Sequence, residues 1–358
     1  MMRTAGTKLD PESQIDALMR PYQGAVPGAG VAVLRNGTPI VRRAYGLADV
    51  ESRVAATTAT NYRLASMTKQ FTAAAILLLA QDGRLAIDDR VRGWLPTLPD
   101  AAAEITIRHL LIHTSGLIDY EDVIPSGTTA QLRDADVLRL LEAVNRCYFP
   151  PGTRYRYSNS GYSLLALIVG KASGKDFASF LRARIFCPLG MHNTLAFEAG
   201  ISAVAQRAFG YSALRNSWTR DDQSLTSATL GDGGIYSSID DLAKWDAALG
   251  DDRLLRPAWL RLAFQPATPT DDALVQYGFG WRISGETRWH SGETTGFRSI
   301  IVRYLEHGLT VIVLSNRDCP DLNSSALAIA KVFLPAADAL SAQNTASGPD
   351  SAARPLPR

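Results

Sequence analysis

Strand-forming text is confined to the two ends of this chain, and the stretch between them is mainly helical. Near the start, residues 30–34 are apolar and β-branched, Arg35-Asn36-Gly37-Thr38 carries an Asn-Gly pair, and residues 39–45 resume the strand pattern. Asn-Gly supplies the two left-handed residues of a tight turn, so an antiparallel hairpin opens the fold. Short, turn-bounded apolar runs return only late, at 277–283, 287–291, 297–304 and 309–314, ahead of a closing helix at 322–334. The economical architecture is α/β of the α+β type: an antiparallel sheet built from both chain ends, flanked by helices, with a mainly helical lobe inserted between. The expected organisation is one domain, 12–334, with a sheet lobe of about 12–62 plus 275–334 and a helical lobe of about 63–274.

The helical signals are specific enough to place. Ile15, Leu18 and Met19 form an apolar patch closed by Pro21. Helical periodicity starts at Ser66 and recurs at 108–117, stopped by Gly116, and then at 134–144, 161–172, 176–185 and 240–249. The last of these places Asp240 and Asp241 in its first turn, where acids suit the helix dipole. Beyond about 335 the text is Ala, Ser, Pro and Asp with little apolar content, which predicts a disordered tail over 335–358.

Charge and composition remove several classes of function. A net charge of +2 with 20% charged residues gives no nucleic-acid footprint. The longest apolar runs, 73–80 and 164–170, are far too short to span a membrane. Residues 1–13 are charged and lack an apolar signal core, so as written the chain reads as cytoplasmic, a trimmed periplasmic or secreted form being the alternative. Cys147, Cys187 and Cys319 are widely spaced and read as idle thiols, not as a disulfide framework or metal site.

Three short stretches carry chemistry. In Ser66-Met67-Thr68-Lys69 a hydroxyl and an amine three residues apart share a helix face, the minimum equipment for a nucleophilic serine. The same pattern also fits a capping serine and a surface lysine. Only six of 37 basic residues are lysines, which makes a lysine one turn after Ser66 less expected by chance. In Tyr157-Ser158-Asn159 an extended backbone would project a phenol and an amide into one space, or place a packing tyrosine beside a helix cap supplied by Asn159 or Ser160. In Trp289-His290-Ser291-Gly292-Glu293 a strand glycine permits close approach of a ligand or another backbone, and an ordinary strand and turn is the plain alternative.

Taken together and in this order, Ser-x-x-Lys, Tyr-x-Asn and a late basic residue with Gly two positions on resemble the penicillin-recognising serine hydrolases. The likeness is to the class C β-lactamase-like branch, with its D-Ala-D-Ala carboxypeptidases, D-aminopeptidases and carboxylesterases. Flanking text agrees: Tyr62-Arg63-Leu64-Ala65, the run 110–117, Gly231-Asp232-Gly233-Gly234-Ile235-Tyr236-Ser237 and Tyr277-Gly278-Phe279-Gly280-Trp281, so the resemblance covers about 12–334. It implies a β-lactamase/transpeptidase-like fold and an acyl-enzyme on Ser66. Lys69, partly desolvated and with a lowered pKa, would share base duty with Tyr157, which then returns a proton to the leaving group. Asn159 would hold the substrate or Lys69. His290, Ser291, Gly292 and Glu293 would line the substrate, with the backbone N–H groups of Ser66 and Glu293 forming the oxyanion hole. No cofactor is implied, and the expected partner is a small ester, amide or D-peptide.

One departure bears on specificity. Relatives that bind β-lactams or a terminal carboxylate carry Lys-Thr-Gly on the late strand, whereas here His290 is only partly charged near pH 7. An esterase or peptidase is therefore expected ahead of a β-lactamase or D-Ala-D-Ala carboxypeptidase. A non-hydrolytic ligand sensor or scaffold is the reading from another class. Arg298 is a candidate for the missing charge, or a solvated strand residue. His109 and His113 have metal-ligand spacing but no zincin glutamate, and read as structural. The glycines between 231 and 234 read as a turn beside the cleft.

Overall fold

The computed structural model describes residues 10–215 and 217–335. The tail expected over 335–358, apart from Pro335, and residues 1–9 lie outside the described residues. An eight-stranded, wholly antiparallel sheet is assembled from both ends of the chain. Its strands are β1 (Ala29–Arg35), β2 (Thr38–Tyr45), β3 (Thr268–Pro269), β4 (Gln276–Tyr277), β5 (Arg282–Ser284), β6 (Thr287–Thr294), β7 (Phe297–Tyr304) and β8 (Leu309–Ser315). Across the sheet they run β3-β4-β5-β6-β7-β8-β1-β2. The chain ends meet where β1 pairs with β8, Val31 opposite Val313 and Val33 opposite Val311. Asn36 and Gly37 both have positive φ, 50° and 74°, which is the turn the Asn-Gly pair calls for.

Burial explains the strand sequences. β1 and β8 are buried on both faces, so they read as unbroken apolar runs rather than alternating ones. β2, at the edge, buries only Val41 and Tyr45 and tolerates Pro39. One face is covered by α1 (Pro11–Leu18) and the closing helix (Asn323–Phe333), through Ile15, Ile329 and Ala330. Against the other face lies the helix Ile239–Ala248, whose Ile239 sits where a β-carbon on Gly30 would be 3.1 Å away.

The helical lobe is built around α2 (Lys69–Gln81), in which every residue from Lys69 to Leu79 is buried. A helix apolar all round belongs in a core, and α2 packs against α3 (Asn159–Ser173). Three expectations shift. The helix expected to begin at Ser66 begins at Lys69, behind a 3-10 turn at Ala65–Thr68. The helix expected over 108–117 covers only Ile107–Leu111, because His113 takes a left-handed φ of 59° ahead of Gly116. The middle also holds a small sheet, Tyr62–Arg63, Leu195–Ala196 and Ile235–Ser237, and a hairpin, Tyr211–Leu214 with Ser217–Arg220, whose strands are too short for a periodicity to register. Among the described residues no helix is long and apolar enough to cross a membrane.

Candidate active site

Ser66 and Lys69 are brought together by the 3-10 turn. With three residues per turn, positions i and i+3 eclipse, and the Lys69 Nζ donates to Ser66 Oγ at 3.1 Å. The turn is entered through Ala65, a non-glycine residue at φ 48°, a conformation that costs about 1–3 kcal/mol and persists only where the surroundings impose it. Ser66 is half-exposed within a stretch of buried neighbours, whereas Lys69 is fully buried. The amine has two further acceptors, Asn159 Oδ1 at 2.9 Å and the backbone carbonyl of Asp232 at 2.9 Å. The glycine-flanked turn at 231–234 therefore does lie beside the cleft, and it contributes a carbonyl.

Tyr157 and Asn159 reach the same place by a different route from the one expected. Asn159 is the first residue of α3, and its cap is Ser158, whose Oγ accepts from the Gly161 N–H at 3.2 Å, instead of Asn159 or Ser160. Tyr157 precedes the helix and stacks on His113, ring centroids 4.3 Å apart, while Lys69 Nζ lies 4.8 Å from the Tyr157 ring centre. His113 fixes this segment at two points: its Nδ1 accepts from Ser158 N–H at 3.1 Å and its carbonyl from Arg156 N–H at 2.9 Å. Burial, with help from Lys69 and His290, drives the His113 pKa well below that of an ordinary histidine, so the ring is neutral. His109 is used elsewhere, its Nδ1 accepting from Thr106 N–H at 3.2 Å, and among the described residues no group of three or more His, Cys, Asp or Glu is placed to hold a metal.

The late strand closes the site from the sheet side. His290 is fully buried; its Nδ1 donates to the Ser291 carbonyl at 2.6 Å, which leaves Nε2 to accept from the Tyr277 hydroxyl at 2.9 Å. Burial first, then Arg282 and Lys69, push the His290 pKa well below the usual value. The partly charged histidine expected from the sequence is in this setting a neutral one. Ser291 is buried, and Glu293 is half-buried, with a carboxylate oxygen 3.7 Å from Arg298 Nε. A β-carbon on Gly292 would fall far inside van der Waals contact with the Leu64 carbonyl and Ser299 Oγ, and 3.1 Å from Ser66 N. The close approach that this glycine permits is therefore to the backbone delivering Ser66, and Ser299 Oγ secures it by donating to Leu64 O at 2.7 Å.

Two groups escaped the sequence reading, Glu121 and Arg282, and a third, Asp232, is read there only as part of a turn beside the cleft. Glu121 Oε1 accepts from Asn159 Nδ2 at 3.3 Å, so one amide is held between Lys69 and a carboxylate. Burial, and then Asp119 and Asp232, push the Glu121 carboxyl up to about 7, and burial raises Asp119 to about 6. Asp232 is the source of the carbonyl on Lys69. The second missed group is Arg282 on β5, whose guanidinium lies 5.6 Å from the Tyr157 ring centre and 5.4 Å from that of Trp289. Arg298, the expected candidate for a cleft cation, is instead turned onto its own hairpin, donating to the Thr294 and Phe297 carbonyls at 2.9 Å each. Glu121 and Arg282 have no local sequence signature: each meets the site through a partner more than thirty residues away, Asn159 and Tyr157.

Comparison with known proteins identifies the family. Penicillin-binding protein 4* of Bacillus subtilis (strain 168) is 34% identical over 308 residues, covering 80% of this chain and 68% of that protein. The D-aminopeptidase of Gluconobacter oxydans (strain 621H) is 30% identical over 312 residues, covering 85% of this chain and 58% of that protein, so the chain spans little more than half of that relative's length. The crystal structure of D-amino acid amidase from Ochrobactrum anthropi SV3, complexed with L-phenylalanine amide, superposes with a TM-score of 0.76 at 25% identity, over 90% of this chain and 99% of that one. A Beta-lactamase family model matches residues 13–333, the whole span that carries the sheet, the helical lobe and the cleft between them, and the chain belongs to the Beta-lactamase family.

Proposed function

We propose that this chain is a serine hydrolase that forms an acyl-enzyme on Ser66 and cleaves amide or ester bonds of small substrates. The observation that carries the reading is the set of contacts made by Lys69. Two of the three, Asn159 Oδ1 and the Asp232 carbonyl, can only accept. A neutral amine has two N–H groups for those acceptors and one lone pair, which then faces the Ser66 hydroxyl at 3.1 Å. In that state Lys69 takes the Ser66 proton as Oγ attacks the substrate carbonyl. The backbone N–H groups of Ser66 and Glu293 receive the oxyanion. Tyr157, against Lys69, relays the proton to the leaving group, and a water then cleaves the acyl-enzyme by the reverse relay.

The acyl group is that of an amino acid or short peptide, D-configured by analogy with the D-aminopeptidase and D-amino acid amidase relatives. Glu121, one amide beyond Lys69, offers an anionic wall to a substrate α-ammonium. A neutral His290 offers no cation to a β-lactam carboxylate, which places esterase, amidase and aminopeptidase activity ahead of β-lactamase. A second reading, a carboxypeptidase, is favoured by Arg282, a permanent cation beside Tyr157.

Labelling with a fluorophosphonate followed by peptide mass mapping tests the chemistry. The adduct is expected on Ser66, together with turnover of p-nitrophenyl esters and D-amino acid anilides that Ser66→Ala abolishes. No adduct, or equal turnover by Ser66→Ala, overturns the reading. Stoichiometric binding of cell-wall fragments without turnover favours the ligand-sensing alternative.

A further inference from the structure

Both ring nitrogens of His290 are taken up within the protein. A carbonyl can only accept, so the contact of Nδ1 with the Ser291 carbonyl at 2.6 Å puts the ring proton on Nδ1. Nε2 is then a lone pair, and the Tyr277 hydroxyl donates to it at 2.9 Å. The ring is fully buried, and that burial, with Arg282 and Lys69 nearby, keeps it neutral and without a second N–H. His290 therefore has no donor or acceptor left for a substrate, although it stands where Lys-Thr-Gly relatives carry a lysine.

Tyr277 is itself rigidly held, which equips it to fix that ring. It is fully buried, and its ring meets His113 edge-on at 4.5 Å between centroids, the same His113 that stacks on Tyr157. The turn after Tyr277 is closed by the Gly278 N–H donating to the Trp281 carbonyl at 2.8 Å. It is wedged against the start of α2: Gly280 takes φ 77°, and a β-carbon there would lie 2.7 Å from the Lys69 carbonyl. The neighbouring Tyr162 hydroxyl is spent elsewhere, donating to the Leu111 carbonyl at 2.8 Å.

The late strand needs such a support at this point. β5 pairs with β6 only as far as Trp289, opposite Arg282, so from His290 onward β6 is paired with β7 alone. A strand with one open edge lacks the ladder that would fix it from the other side. The imidazole supplies a contact to this stretch, at Ser291. The next residue is Gly292, whose position for a β-carbon is 3.1 Å from Ser66 N, and the one after is Glu293. A shift of Ser291 would thus be felt where the strand meets Ser66.

We propose that Tyr277 is a positioning residue: its hydroxyl fixes the His290 imidazole, the imidazole fixes the Ser291 carbonyl, and the strand bearing the Glu293 N–H is thereby set against Ser66, with His290 making no contact to substrate. The effect on turnover rests on the hydrolase reading above; the hydrogen bonds do not. The chain has five histidines, so the full chain labelled with 15N-histidine gives a simple spectrum in which His290→Asn identifies the His290 signals. In the wild type, Nδ1 of His290 is expected to carry the proton and Nε2 to resonate as a hydrogen-bonded lone pair. Tyr277→Phe, which removes one oxygen, should move Nε2 towards the resonance of a free lone pair and leave Nδ1 protonated. It should lower kcat for a p-nitrophenyl ester by about tenfold or more, with KM within about twofold, because the strand is misplaced and no substrate contact is lost. Asparagine carries an N–H near the Nδ1 position and nothing near Nε2, whereas glutamine does the reverse. His290→Asn should therefore keep more of kcat than His290→Gln, and adding Tyr277→Phe to His290→Asn should cost less than about twofold. A wild-type ring protonated at Nε2, or an Nε2 resonance indifferent to Tyr277→Phe, overturns the hydrogen-bond assignment. An unchanged kcat in Tyr277→Phe, whatever its KM, or a full loss on adding it to His290→Asn, overturns the positioning role. Absence of turnover in the wild type overturns the hydrolase reading and the role in turnover with it, while the Nε2 signal still decides the contact.

Discussion

Gly292 and Leu64 are in backbone contact: no β-carbon fits on Gly292 without displacing the carbonyl of Leu64, two residues ahead of Ser66. The sheet and the turn that carries Ser66 are therefore joined at a point where only glycine fits. Gly292→Ala should push the turn at Ala65–Thr68 away from the late strand by a fraction of an ångström or more. Overpacking of this kind costs roughly 1–3 kcal/mol, and a misplacement of about 1 Å in a catalytic group costs about a hundredfold in rate. Thermal unfolding and ester hydrolysis measured together check this, with kcat expected to fall far more than stability. An alanine variant with wild-type kcat would show that the turn is not set by this contact.

His290 is neutral because it is buried beside Arg282 and Lys69. His290→Lys places an ammonium in this buried setting beside the Arg282 guanidinium, and unpaired buried charge is strongly destabilising, by about 3–5 kcal/mol. A lower melting temperature is expected, partly restored by a ligand that brings its own carboxylate. Acylation by a fluorescent penicillin should be faster in His290→Lys than in the wild type. Efficient cephalosporin hydrolysis by the wild type would contradict the specificity drawn from His290.

The parts of this molecule that could be read in advance are those whose cause is local. The turn at Asn36-Gly37, the bounds of β7 and the apolar runs of β1 and β8 follow from turn chemistry and two-sided burial, which a sequence carries directly. The likeness of Ser66, Lys69, Tyr157 and Asn159 to a known pattern supplied what local rules did not. What stayed hidden is the second layer. Glu121 and Arg282 meet the site through contacts spanning tens of residues, and Arg298, open in the sequence between a cleft cation and a solvated strand residue, turns onto its own hairpin. The Asn159 amide is delivered by a helix start capped by Ser158, neither by an extended segment nor by Asn159 acting as the cap.

Glu121→Gln separates charge from geometry, because the amide oxygen still accepts from Asn159 Nδ2. The native carboxyl, raised to about 7, is largely protonated below that value and ionised above it. In the folded state it binds its proton more tightly than in the unfolded chain, so its contribution to stability is full below the ordinary value of 4.5 and is lost as pH rises through about 7. The melting temperature of Glu121→Gln relative to wild type should therefore rise across that window, by an amount equivalent to about 1–3 kcal/mol. For a D-amino acid amide bearing an ammonium, wild-type KM should fall as pH rises from 6 towards 7.5, while the variant shows a flat profile and a KM about tenfold higher. A neutral p-nitrophenyl ester should show neither effect. Equal KM values for the two enzymes on the cationic substrate would remove Glu121 from substrate recognition.

Arg282 decides between the two peptide readings. Its guanidinium stands beside the Tyr157 ring on the sheet side of the cleft, whereas Glu121 meets Asn159 on the helical side. A peptide lying along the late strand with its amino end towards Glu121 directs its leaving group towards Arg282. If that leaving group ends in a carboxylate, the pair is charge-assisted, and its loss costs about 1.5–3 kcal/mol, or roughly ten- to a hundredfold in kcat/KM. Arg282→Gln should then impair cleavage of a D-dipeptide by that factor while sparing the corresponding D-amino acid amide, whose leaving group is ammonia and reaches no cation. The variant also relieves His290 of the largest repulsive charge acting on it, so the pH profile should gain a histidine titration closer to the ordinary range. Equal losses on dipeptide and amide would assign Arg282 to holding Tyr157, and an unchanged dipeptide rate would leave aminopeptidase and amidase chemistry as the reading of this cleft.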